Sequence, residues 1–178
     1  MRVLLELGAV VNARTNDDTT PLHMVVLQYE SAEAIRVLLK HGADVNARNK
    51  DNTTPLHEAT EYGTFLSIRV LLEHGADANA RKNDGTRPLH EAARLWSDHA
   101  TLLLLEHGAD VNVRTKDGTT PLHVAAQNGR LDNTRTLLEH GANVGAEDGR
   151  GRTASRVAPE SLRVHDKIMA LLLEYGAK

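Results

Sequence analysis

With 178 residues, 40% hydrophobic and 25% charged, the chain is long enough for one sizeable core or a short array of small units. Five aromatic residues leave any core to Leu, Ile, Val and Ala, and the lack of cysteine excludes disulfides, thiolate nucleophiles and Cys-type zinc sites. A net charge of −3 argues against a general binder of nucleic acid or anionic membranes, and no stretch approaches the roughly 20 apolar residues of a membrane span.

The N-terminus, MRVLLELGAVVNAR, holds only a short apolar run broken by Glu6, which does not read as a signal peptide. Together with the missing cysteines this gives the expectation of a cytoplasmic protein, with a nucleus or a host cytosol as alternatives. Residues 20–23 then read TPLH, where Thr20 is placed to cap a helix and Pro21 takes the first helical position, at which its missing N–H costs nothing. A second apolar run, IRVLL at 35–39, stops at Gly42, suited to the left-handed conformation that ends a helix. About eleven polar residues follow, with Asp51-Asn52 as hairpin-turn chemistry, before TPLH returns at 54–57.

The same grammar recurs down the chain. RPLH stands at 87–90 and TPLH at 120–123, so that Pro21, Pro55, Pro88 and Pro121 are spaced 34, 33 and 33 apart. KHGADVNAR at 40–48 returns as EHGADANAR at 73–81, EHGADVNVR at 106–114 and EHGANVGAE at 139–147, with Gly42, Gly75, Gly108 and Gly141 each 33 apart. Two signals locked to one period define a repeat protein. Each unit predicts a short helix, a second short helix and a projecting hairpin loop. Helices this short bury their apolar faces only against adjacent units, which gives a quasi-one-dimensional stack.

The period, with TPLH, LLEHGADVN and DGTTPLH, resembles ankyrin repeats over essentially the whole chain. The expected fold is an all-α solenoid of four full repeats, residues 15–48, 49–81, 82–114 and 115–147, with projecting β-hairpin loops. Residues 1–14 match only the second helix and loop of a unit, which suggests a segment of a longer array. Residues 148–178 form a divergent, more polar unit with Ala154-Ser155-Arg156 in place of Pro-Leu-His, expected as a C-terminal cap.

Ten histidines invite a metal or catalytic role, but eight fall on repeat positions: His23, His57, His90 and His123 end the capping motif, and His41, His74, His107 and His140 precede the helix-ending Gly. The resemblance implies that the first group is buried and ties the loops together. No catalytic residue, metal site or cofactor is expected, since the carboxylates recur at surface positions rather than converge and the glycines are scattered one per turn. Asn46 and Asn112 resemble asparaginyl-hydroxylase substrates within the pattern LLxHGADVN, which is nearly identical to the structural consensus.

Recognition remains. The resemblance implies a cupped stack binding a protein partner through its concave face, as a monomer, with no nucleic acid and no membrane. The loop tips carry Asn16-Asp17, Lys50-Asp51, Asn83-Asp84 and Lys116-Asp117, and behind them runs a ladder of Arg14, Arg48, Arg81 and Arg114. These suit either a solvated edge or a weak steering surface. The helix junctions are more telling. Tyr29, Tyr62 and Leu95-Trp96 bring aromatics to one address in consecutive repeats, flanked by Arg94 and Asn128, and Trp96 occupies the slot of the turn residues Gly63 and Gly129. Aromatic and Arg side chains are typical interface anchors, and neighbouring rings at helix spacing would make a ridge. Alternatively Trp96 covers a gap, because Asp98 and Thr101 stand where other units place Leu131, Phe65 or Ile68. Two further possibilities are the targeting segment of a larger enzyme or channel, and a structural spacer.

Overall fold

The computed structural model describes residues 8–28, 32–62, 65–160 and 164–177. Ten helices lie among the described residues, in five pairs: α1 (Pro21–Val25) with α2 (Ala32–Lys40), α3 (Pro55–Glu61) with α4 (Phe65–Glu73), α5 (Pro88–Ala92) with α6 (His99–Glu106), α7 (Pro121–Gln127) with α8 (Leu131–Glu139), and α9 (Ala154–Val157) with α10 (His165–Glu174). First helices pack on first helices and second on second, making two layers with the core between them. Leu22, Leu56, Leu89 and Leu122 from the first layer, and Ile35, Leu38, Ile68, Leu71, Leu104 and Leu137 from the second, are fully buried. Ile168 and Leu172 continue the core into the last pair, whose first helix is cut to one turn and contributes only Ala154 from the motif position.

Burial of Leu stripes cannot by itself hold helices of four to ten residues in register; the polar grammar does that. The Thr54 and Thr120 hydroxyls accept the backbone N–H of His57 and His123. In return, imidazole Nδ1 accepts the N–H of Thr20, Thr54, Arg87 and Thr120 at 3.2–3.4 Å. Nδ1 is then the unprotonated nitrogen, so Nε2 carries the proton and donates it to a carbonyl of the next unit. His23 reaches Thr53 O at 3.0 Å, His57 Thr86 O at 3.4 Å, His90 Thr119 O at 3.0 Å and His123 Arg152 O at 2.7 Å. Both ring nitrogens are used in every case, which is the tying role the resemblance implied. Burial holds His57 neutral, with its pKa lowered to about 3, and it lowers His23 and His90 as well. The other series caps the far helix ends: His41, His74, His107 and His140 donate from Nδ1 to the carbonyl four residues back, at 2.7–2.9 Å.

Asparagine makes a second set of ties. The Asn46 amide donates to Gly75 O at 3.0 Å and accepts from Asp77 N at 2.8 Å, and Asn12, Asn79 and Asn112 repeat the pattern one unit away each time.

The projecting loops are hairpin-shaped turns, and no strand occurs among the described residues. Two backbone bonds close each tip, such as Thr115 N–H to Thr119 O at 3.0 Å and Gly118 N–H to Thr115 O at 3.1 Å. The tips are tied sideways instead: Lys50 N to Asp17 O, Asn83 N to Asp51 O, Lys116 N to Asp84 O and Gly149 N to Asp117 O, at 2.6–3.1 Å. This side-by-side stacking explains Gly85. Its φ is +91°, and a Cβ there would lie 2.7 Å from the Lys116 nitrogen.

Candidate functional site

Residues 94–98, joining α5 to α6, depart from the repeat pattern, and the structure shows what the departure builds. Where Ile35 and Ile68 fill the core in earlier units, Thr101 is fully buried and donates its hydroxyl to the Asn133 side-chain oxygen. The Asn133 amide, also fully buried, donates to Leu95 O at 2.8 Å and more weakly to Ser97 O at 3.4 Å. Thr136 donates to the Asp98 carboxylate at 2.8 Å, and Arg130 Nε donates to Arg94 O at 2.7 Å. The next unit thus fixes the loop through its backbone at residues 94, 95 and 97 and through the side chain of Asp98.

Held from beneath, the loop turns its ring outward. Trp96 is 81% exposed, so it does not fold back over the core, and the weak spot left by Thr101 is closed by Asn133 instead. The Arg130 guanidinium lies on one face of the indole, 3.6 Å from its centroid. At an exposed site such stacking contributes about 0.5–1 kcal/mol. Burial against the ring lowers the Arg130 pKa, yet a guanidinium stays charged at neutral pH. Tyr62 caps the C-terminus of α3 and is 61% exposed. Leu95 is half-buried and packs on the core edge. Asn128 is exposed and donates to Val124 O at 2.8 Å. Tyr29 lies outside the described residues. A second aromatic contact crosses the preceding junction, where Phe65 meets His99 edge-on at 6.0 Å.

A charge knot that the sequence did not single out lies beside the loop. Lys82 Nζ bonds Glu91 at 3.2 Å and Glu61 at 3.4 Å, and Arg94 bonds the other Glu91 oxygen at 3.0 Å. Burial pulls Lys82 down, but Glu91 and Glu61 outweigh it and its pKa ends above the ordinary value. Burial also raises the nearby Glu58, with Lys82 opposing and Glu61 and Glu91 adding.

At the tips, Arg48 and Arg114 donate to the carbonyls of Arg81 and Glu147 one unit on, as Arg14 does to Arg48 O at 2.9 Å. Asn83 donates to Lys50 O at 3.0 Å, while Lys50, Arg81 and Lys116 are exposed. The tip residues therefore combine stack-building bonds with solvent-facing charge. Asn46 and Asn112 spend both ends of their amides on the same purpose.

A family model for ankyrin repeats (3 copies) matches residues 1–82, 46–115 and 89–178, and so spans the chain. The chain belongs to the ankyrin-repeat family. A search of curated proteins returned no match. Ankyrin repeats are generally protein–protein interaction modules and typically non-catalytic, which points to protein partners. No helix among the described residues is long and apolar enough to cross a membrane. In ankyrin terms, the third unit gives up a turn glycine and a core isoleucine, and the fourth supplies Arg130, Asn133 and Thr136 to support the result. Sequence phasing located the departure but not its partners. The one signal available for them was Asn133, a polar residue two positions after Leu131.

Proposed function

We propose that this ankyrin stack is a non-catalytic module that binds a partner protein through its concave face and the adjoining helix junctions, with Trp96 and Tyr62 as anchors. The observation that carries this is Trp96, an exposed indole on a loop that the next repeat holds at four hydrogen-bonding points, two on either side of the ring. An aromatic presented without freedom to move loses little entropy on binding, and Trp and Arg are enriched among interface anchors. Arg94 and Asn128 flank it, Leu95 supports it from the core, and Tyr29 continues the series by sequence. Arg48, Lys50, Arg81, Asn83, Arg114 and Lys116 at the tips steer the approach more than they hold the complex, since each exposed ion pair contributes only about 0–1 kcal/mol.

Affinity capture with the intact chain tests this. Capture of a partner by the wild type, and its loss with Tyr62→Ala/Trp96→Ala at unchanged melting temperature, is the expected outcome. Equal capture by the double variant removes the site, and a chain that captures nothing is a spacer.

A further inference from the structure

Resting on the proposal that the Trp96 loop meets a partner protein, we infer that the Trp96–Arg130 pair is built to take an acidic segment of that partner. A carboxylate sits on the terminal nitrogens of Arg130, and a neighbouring apolar side chain sits on the open face of Trp96.

The chemistry follows from which atoms are used and which are left. Arg130 Nε is committed to Arg94 O, which fixes the plane of the guanidinium against the indole. Its two terminal nitrogens bond no other group among the described residues, so they present an end-on fork of donors matched to a carboxylate. Arg94, its side chain 57% exposed, is itself paired with Glu91. The carboxylates of this junction do not neutralise the pair. Glu91 is nearly buried and is held by Lys82 and Arg94, and Asp98 accepts from Thr136. With one face of the ring covered by Arg130, the opposite face is an open apolar platform.

Other occupants fit less well. A basic segment meets the Arg130 guanidinium, and a purely apolar one leaves the Arg130 fork desolvated and unpaired. A single-stranded nucleic acid gains one stacking platform, but its phosphates then run into Glu58, Glu61 and the aspartates of the loop tips on a chain of net charge −3.

Selection of phage-displayed random peptides on the intact chain, counter-selected on the Trp96→Ala chain, tests the inference. Enriched peptides are expected to carry Asp or Glu beside an apolar residue. A synthetic peptide of that sequence is expected to shift Trp96 emission to the blue, and Trp96 is the only tryptophan in the chain. Replacing its acid by the amide, or Arg130→Lys, which keeps the charge but loses the fork, is expected to weaken binding about tenfold. Thermal melting establishes that the Arg130 variant is folded, and Trp96→Ala removes only an exposed ring. Enrichment of basic or wholly apolar peptides, no enrichment over the counter-selection, equal binding of the amide peptide, or tighter binding of oligothymidylate at Trp96 overturns it. If Trp96→Ala abolishes capture of the partner while no acidic peptide is enriched, the acidic chemistry falls and the partner surface stands. If capture is untouched, both fall.

Discussion

Trp96 and Asn133 divide the work of one junction. The ring is exposed and contributes its stacking on Arg130, so Trp96→Ala is expected to cost about 1 kcal/mol or less, with little change in melting temperature. Asn133 is the reverse: wholly buried, it satisfies Leu95 O and the Thr101 hydroxyl at once. Asn133→Ala strands both, at about 1–3 kcal/mol for each orphaned group, and is expected to lower the urea midpoint clearly. It also frees the loop, so the fluorescence anisotropy of Trp96 is expected to drop. Thr101→Ile combined with Asn133→Leu restores the apolar slot seen at Ile35 and Ile68 and recovers part of the stability, leaving Leu95 O and the weaker Ser97 O contact unserved. If Trp96→Ala destabilises more than Asn133→Ala, the ring is a packing residue after all.

Among the elements, the loops show most plainly how adjacent repeats constrain each other. Gly85 and Gly151 hold the same tip position with φ of +91° and +69°, but only Gly85 has the next finger's backbone within reach of a Cβ; nothing lies within 4 Å at Gly151. Gly151→Ala is therefore expected to cost the left-handed strain alone, about 1–2 kcal/mol. Gly85→Ala adds displacement of Lys116 and Thr115, and the difference in urea midpoint between the two variants measures the stacking of fingers. Equal costs would mean that the fingers do not support one another. Helix positions, caps and turns were legible in the sequence because each rests on local chemistry: Thr before Pro, Gly after Leu-Leu, Asp-Gly at a tip. The absence of strands was not, since it depends on whether the bonding at each tip extends beyond the turn into a ladder. Nor was the support of residues 94–98 legible, because Arg130, Asn133 and Thr136 act on them from more than thirty residues away, at positions where a surface helix is polar anyway. The Lys82 knot escaped for the same reason, as it joins three elements through side chains ordinary on any helix surface.

On the scale of the whole stack, the buried histidines make stability a function of pH. His57 has a pKa of about 3 when folded against 6.5 for an unperturbed histidine, so between these values the unfolded chain binds a proton that the folded chain refuses. The stabilisation is complete above pH 6.5 and is lost as the pH falls through that window, by about 1.4 kcal/mol per pH unit once the unfolded histidine is protonated. His23 and His90 shift in the same direction and add to the slope. Urea midpoints are expected to stay level above about pH 7 and to drop between about pH 6 and 5, less steeply for His57→Gln. A midpoint that rises on acidification would mean that these rings are charged in the folded chain. Because each ring bonds the following unit, the loss is shared along the array and unfolding stays cooperative.

Titrating the intact chain with its captured partner while following the emission of Trp96 tests the recognition surface most directly, because no other tryptophan in the chain contributes to the signal. Free in solution, the indole is expected to emit as a water-exposed ring, and binding is expected to move the emission to the blue in proportion to the complex formed. A partner that binds at saturation while Trp96 emission stays unchanged would place recognition elsewhere on the stack.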